Sequence, residues 1–167
     1  MRLPDEAERS FERVYNQYAD MLYRIALSHV SHREDAEDAV HDVFIKYMQS
    51  SPDFSDDEHE RAWLIRVTVN RCRDLLRRRN IRRYVGFDEI EEIPADETPY
   101  EGQGIIATVS ALPDKYKSVI ILHYLEGNSV EQCAAILGLS ESAIKMRLSR
   151  GREMLKKTIE KEGHHVR

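Results

Sequence analysis

Residues 129–157 read SVEQCAAILGLSESAIKMRLSRGREMLKK. Val130, Cys133, Ala134 and Leu137 fall on one helical face, and Ile144, Leu148, Gly151 and Leu155 share a second one. Between the two lies Gly138-Leu139-Ser140, a glycine where the chain must turn sharply and a serine suited to cap the next helix. Ser129-x-x-Gln132 has the form of a capping box. Ala134 is small where two helices must approach, and Gly151 permits close packing at some cost in helix propensity. The other side of the second helix carries Ser142, Met146, Ser149 and Arg150, edged by Lys145 and Arg152. Two helices, a glycine-centred turn and a basic second helix form the pattern of a helix-turn-helix, which reads duplex DNA in the major groove. The competing reading is a plain amphipathic hairpin with a solvated basic face. The turn length, Ala134, Gly138 and the charge bias favour the helix-turn-helix.

Outward from this stretch, the 167 residues suffice for one domain or two small ones, with 41% hydrophobic and 33% charged residues. The net charge of −5 runs against DNA binding, and its distribution resolves the conflict. Residues 61–83 hold nine arginines and one acid, and residues 145–157 hold six bases and one acid. Between them, residues 85–104 hold seven acids, no base, two prolines and three glycines, the composition of a solvated linker. No segment carries a strand signal, and apolar runs such as Val119–Leu122 are far short of a membrane span. The charged start of the chain predicts no signal peptide, and a cytoplasmic location is expected. Cys72 and Cys133 fit no metal or redox spacing and read as reduced, buried thiols.

The predicted fold is all-α, with two small helical domains, residues 1–84 and 105–160, joined by the acidic linker 85–104 and followed by a tail, 161–167. The first domain reads as three helices. Phe11, Val14, Tyr18, Leu22 and Ile25 mark the inward stripe of the first, over about 6–30. Ser31-x-x-Glu34 and Ser55-x-x-Glu58 predict capping boxes for the second and third, ending near Gln49 and Arg79. In the second domain, short helices are expected over 105–112 and 114–126.

The third helix buries Ala62, Ile65, Val69, Cys72 and Leu76 and turns Trp63, Arg66, Asn70, Arg73 and Arg77 outward. An outward tryptophan in line with arginines suits exposed bases, with the ring stacking and the guanidinium groups holding the backbone. The alternative is that Trp63 packs against a neighbouring helix or loop and the arginines are solvated. The second helix turns Asp38, His41, Asp42, Ile45 and Met48 outward. Acids around exposed apolar groups suit a protein-docking surface, or else a solvated face. His29 and His32 lie one helical turn apart without a third ligand, which predicts a surface histidine pair rather than a metal site. No phosphate loop, nucleophile–base set or metal constellation stands out, so neither catalysis nor a cofactor is expected.

These parts resemble the extracytoplasmic function group of bacterial RNA polymerase sigma factors. Residues 35–44 (DAEDAVHDVF) look like the core-binding segment, region 2.2, and residues 62–77 (AWLIRVTVNRCRDLLR) look like regions 2.3 and 2.4. Residues 112–124 (LPDKYKSVIILHY) look like region 4.1, and the helix-turn-helix looks like region 4.2. The resemblance implies that Asp38, His41, Asp42, Ile45 and Met48 dock on the clamp helices of the largest polymerase subunit, with the flap of the second-largest subunit a further contact. It implies that Trp63, Arg66, Asn70, Arg73 and Arg77 melt and read the −10 element, with Phe54 completing a pocket for a flipped base. It assigns the −35 element to Ser142, Lys145, Met146, Ser149 and Arg150, with Arg147 and Arg152 on phosphates. An anti-sigma factor is an expected partner. The chain departs from the family's pattern at His41, often Gln, at Met146, commonly small and polar, and at Gly151, usually Ala. The rival functions are a helix-turn-helix regulator acting alone and an enzyme on nucleic acid.

Overall fold

The computed structural model describes residues 4–50, 52–85 and 103–165. Seven α-helices account for almost all of them: α1 (Pro4–Val30), α2 (Arg33–Ser50), α3 (Asp57–Val85), α4 (Gln103–Ser110), α5 (Asp114–Ile120), α6 (Val130–Leu137) and α7 (Glu141–His165). The chain continues from α5 into a π-helical turn, Ile121–Leu125. No strand is present among the described residues, as the sequence predicts.

Helices α1, α2 and α3 pack on one another around Val14, Leu22, Ile25, Val43, Leu64 and Ile65, all buried. Three ion pairs tie α3 to its neighbours. Arg13 reaches both oxygens of the Glu60 carboxylate at 3.2 Å, and the Tyr47 hydroxyl donates to the same group. Arg71 donates to Asp42 at 2.7 Å, and Arg79 pairs with Asp35. The Glu60 carboxylate is buried, so these donors replace the water it loses on folding. Helices α4 to α7 form a second set, in which α7 packs on α5 and α6. Ile120, Ile121, Leu122, Ile136 and Ile144 fill its interior.

Several predicted boundaries shift, each for a local reason. Ser31 does not cap α2. It sits at φ 60°, in the left-handed region, and its N–H closes the end of α1 on the Leu27 carbonyl. The helix therefore begins after His32. Nor does Ser55 cap α3. Asp56 does, accepting from the His59 N–H at 2.7 Å, while the His59 ring accepts from the Ser55 N–H. The aspartate serves the N–H of His59, so the helix starts one residue later than the Ser55 spacing implies. Helix α3 runs to Val85, six residues beyond the predicted end, and α7 runs to His165, through most of the predicted tail. The acidic linker lies outside the described residues, except that Val85 closes α3 and Gln103 and Gly104 open α4.

His29 is buried, not on the surface. Its ring bridges the Ile25 carbonyl and the Ser118 hydroxyl because α5 covers this end of α1. The two thiols are buried and free, as expected; burial pushes Cys72 up to about 12 and Cys133 up to about 11. Neither is a nucleophile at neutral pH.

Candidate nucleic-acid interface

The helix-turn-helix is built by local bonds, each within four residues or so. The Ser129 hydroxyl accepts from the Gln132 N–H at 3.0 Å, and the Gln132 side chain accepts from the Ser129 N–H at 2.9 Å, completing the predicted capping box. Gly138 ends α6 at φ 67°, ψ 37°, a conformation that a Cβ would strain. Ser140 then caps α7, accepting from the Ala143 N–H at 3.1 Å. Ile144, Leu148 and Gly151 face inward and are buried. At Gly151 the approach is close: a Cβ there would stand 2.9 Å from Ile120 Cγ1.

The other side of α7 is open. Ser142, Lys145, Met146, Ser149, Arg150 and Arg152 are exposed, and Arg147 is half-buried. Arg152 donates to the Tyr124 hydroxyl at 2.8 Å, so it is held at the π-turn edge of the face. Arg150 bonds the Tyr116 hydroxyl, which lowers that phenol below its ordinary value. Exposed donors along the first turns of a capped helix can reach both base edges and phosphate oxygens.

The α3 face is only partly open. Trp63 is half-buried, edge-on to Phe54 at 5.8 Å and to Tyr47 at 6.1 Å. Phe54 also stacks on Tyr47 at 6.3 Å and meets the His59 ring edge-on at 5.2 Å. The alternative stated for Trp63, packing against a neighbouring loop, is therefore what this conformation shows. The structure does bring Phe54 and Trp63 together, as a base pocket would require, but with their rings touching one another. Asn70 and Arg77 are exposed, Arg77 pairing locally with Asp74 at 2.6 Å. Arg66 is exposed and Arg73 half-buried, and both are engaged by the second helical set. Arg66 donates to two α6 carbonyls, and Arg73 reaches Ser118 and Asp114 of α5.

On α2, His41, Ile45 and Met48 line an open groove with Phe11, Tyr15 and Tyr23 of α1. Asp38 is exposed on the same helix, and the acids that line the groove are Asp20 and Glu37. Asp42 is set apart from the other four, since its carboxylate is bound by Arg71 of α3. Tyr15, 48% exposed, was missed in the sequence. The available signal was an aromatic next to Val14 and off the inward stripe of α1.

Helices alone, two basic faces and a helix-turn-helix define an all-helical, two-part nucleic-acid-binding protein. Residues 14–82 match the family Sigma-70 region 2, and residues 103–155 match Sigma-70, region 4. The ECF RNA polymerase sigma factor SigE of Mycolicibacterium smegmatis is 29% identical over 161 residues, covering 91% of this chain and 62% of that protein. The RNA polymerase sigma factor CnrH of Cupriavidus metallidurans is 29% identical over 163 residues, covering 89% of this chain and 85% of its own length. The solved structure of CnrH with the cytosolic domain of CnrY superposes with a TM-score of 0.71 over 92% of this chain and 89% of the other. The sigma factor RpoE from Bartonella quintana, solved in complex with the anti-sigma factor NepR, gives 0.72 at 26% identity, over 91% of this chain and 98% of the other. The chain belongs to the sigma-70 family, in its extracytoplasmic function group.

Proposed function

We propose that this chain directs RNA polymerase core to promoters and helps to open the DNA there. The observation that carries this reading is the separation of surfaces. An exposed basic recognition helix, an aromatic-and-arginine face and an apolar groove occur on three different elements. A duplex binder acting alone has use for the first of these only.

In this reading the α7 face reads the −35 element. Lys145, Met146, Ser149 and Arg150, with Ser142 at the helix start, face base edges; Arg147 and Arg152 hold phosphates. Trp63, with Phe54 and Tyr47, forms an aromatic cluster that receives a flipped base of the −10 element once Phe54 moves off the indole. Stacking on aromatic rings offsets part of the cost of unstacking, a few kcal/mol per step. Asn70, Arg66, Arg73 and Arg77 hold the single strand. His41, Ile45, Met48 and Tyr15 form the groove that takes the clamp helices of the largest polymerase subunit, with Asp38 exposed on the same helix. Asp42 holds α3 against α2 and orients this face rather than docking directly. The two helical sets act as separate domains, 1–84 and 105–160, on the two promoter elements. An anti-sigma factor is the expected regulator.

The protein supplies position and stacking and needs no reaction of its own, because bond formation belongs to the polymerase. Its place of work is the cytoplasm, where DNA and polymerase lie; no helix among the described residues is long and apolar enough to cross a membrane. The deciding experiment adds the chain to polymerase core and maps transcripts from a genomic fragment library. Discrete start sites that depend on the chain are expected. Absence of any start site, together with absence of a complex with core, refutes the reading.

A further inference from the structure

The direction of each α7 side chain is fixed by how the helix is seated. Ile144 and Leu148 are buried, and Gly151 lies too close to Ile120 to let the helix roll. At about 100° per residue, the mean direction of these three points into the second helical set. Met146 stands about 15° from the opposite direction, closer to it than Ser142, Lys145, Ser149 or Arg150. Lys145 and Ser149 fall to one side of it and Arg150 to the other. Met146 is 56% exposed. Among the described residues of α7, Met146 and Ile159 alone are large, apolar and exposed. Ile159 lies roughly three and a half turns further on. Two arginines are drawn to the edges of the face by phenols, Arg150 by Tyr116 and Arg152 by Tyr124. The centre of the face therefore belongs to a thioether.

A helix that enters the major groove sets its outermost line against the groove floor and its flanks against the phosphate walls. The floor presents N7, O6 and O4 acceptors, N4 and N6 amino donors, and one apolar group, the C5 methyl of thymine. A thioether has no donor and is a weak acceptor. Set against a polar base edge, Met146 strips water from it and returns no bond, which costs free energy. Set against the thymine methyl, it takes apolar surface of both partners out of water. The sign of the interaction thus changes with the base. Ser142, one turn earlier on the same line, both donates and accepts, and so serves any base. Glu153, two turns later on that line, pairs with Lys157 at 3.6 Å, and its charge keeps that part of α7 off the phosphates. Between the two, Met146 is the side chain that discriminates.

We infer that Met146 selects a thymine C5 methyl in the −35 element, and that it makes the chain sensitive to methylation of cytosine C5 at the same place. This deepens the proposed promoter function and rests on it. A 5-methylcytosine carries its methyl at the same point of the groove as thymine, so one contact reads both. Arg147 and Arg152, on phosphates, add affinity without this discrimination.

The test uses the full chain with polymerase core and the promoter fragment that gives the strongest start site in the transcript map. Each thymine of its upstream element, on either strand, is replaced in turn by deoxyuridine. That change removes the methyl and keeps every hydrogen-bonding group. Competition binding reads the result. Replacement of one thymine should weaken wild-type binding by roughly three- to fivefold, the worth of one methyl group taken out of water. Met146→Ser should bind the thymine fragment more weakly by a similar factor and show no response to deoxyuridine. Met146→Leu, which keeps an apolar tip, should keep the response. With cytosine at that position, methylation of its C5 should tighten the wild type by roughly the same factor and leave M146S unchanged. Neither substitution alters a charge, so the slope of affinity against salt should stay at its wild-type value. The deoxyuridine response of the wild type is read without any variant, so a damaged M146S cannot imitate it. Start sites with no thymine whose methyl the wild type senses, or a methyl response that survives in M146S, overturn the inference and leave the promoter function standing. Absence of any start site, together with absence of a complex with core, overturns both.

Discussion

Replacing Gly151 by alanine sets two effects of similar size against each other, and the structure says which wins. Alanine is favoured over glycine in a helix interior by about 1 kcal/mol. Against this, the added methyl would stand 2.9 Å from Ile120 Cγ1, 3.0 Å from Ile120 Cδ1 and 3.6 Å from Tyr116 Cβ. Ordinary carbon contacts lie at about 3.5–4.0 Å, so α5 and α7 must part by about half an ångström or Ile120 must leave its rotamer. Ile120 is 2% exposed and β-branched, with no open side to swing into. Overpacking a closed site by one methyl costs about 1–3 kcal/mol, so the expected net result is a loss of about 1 kcal/mol. Urea denaturation followed by helical circular dichroism reads this directly. The companion Ile120→Val removes the atom at 3.0 Å and costs about 0.5–1.5 kcal/mol alone. Together the two should cost less than their sum by about 0.5–1 kcal/mol. A Gly151→Ala variant that gains the full helix-propensity difference, with additive behaviour in the pair, would show that α5 and α7 do not approach closely. The same displacement tilts the recognition helix, so duplex affinity for a −35 fragment should fall with stability rather than independently of it.

Two further expectations concern single residues. Burial lowers His29 to about 4, aided by Lys117 and Arg73 and opposed by its bond to the Ile25 carbonyl and by Asp114. The ring is neutral in the fold and takes up a proton more readily when unfolded, so its contribution is constant above about pH 6.5 and is lost as pH falls towards 4. The loss approaches about 1.4 kcal/mol per pH unit and totals on the order of 3 kcal/mol. Urea midpoints between pH 7.5 and 5 should fall more steeply for the wild type than for His29→Gln; equal slopes would remove His29 as the cause. Ser31→Gly relieves a left-handed residue at φ 60°. It should raise stability by up to about 1 kcal/mol, since the strain of roughly 1–2 kcal/mol outweighs glycine's extra chain entropy. In a thermal melt that is a shift of about 2–4 °C for a chain of this size, and a lower melting temperature would contradict the assignment of Ser31 as the α1 terminator.

The parts of this protein that close within three or four residues were legible from the amino acids. The Ser129–Gln132 box, the left-handed Gly138, the Ser140 cap and the inward trio Ile144, Leu148 and Gly151 all stand where their spacing puts them. Each depends on neighbours one helical turn away, and the sequence lists those neighbours. The shifted helix starts after His32 and Asp56 show the limit even locally, because S-x-x-E does not fix which of two adjacent residues stands at the cap position.

Tertiary packing decided what α3 does. One stripe of apolar residues was readable on it, yet Leu64 and Thr68 are also fully buried, because α3 packs against both α1 and α2, and α6 lies against it as well. Periodicity reveals a single buried face and becomes indistinct when two faces are covered. Trp63 turns to Phe54 and Tyr47, and Asp42 turns to Arg71, for the same reason. Arg66 meets carbonyls 69 and 70 residues away, and Arg73 meets a hydroxyl 45 residues away. A guanidinium carries the same charge and donors whether it faces water, phosphate or a helix end. The amino acids therefore state what Arg66 can bind, and the packing of α6 on α3 settles what it does bind.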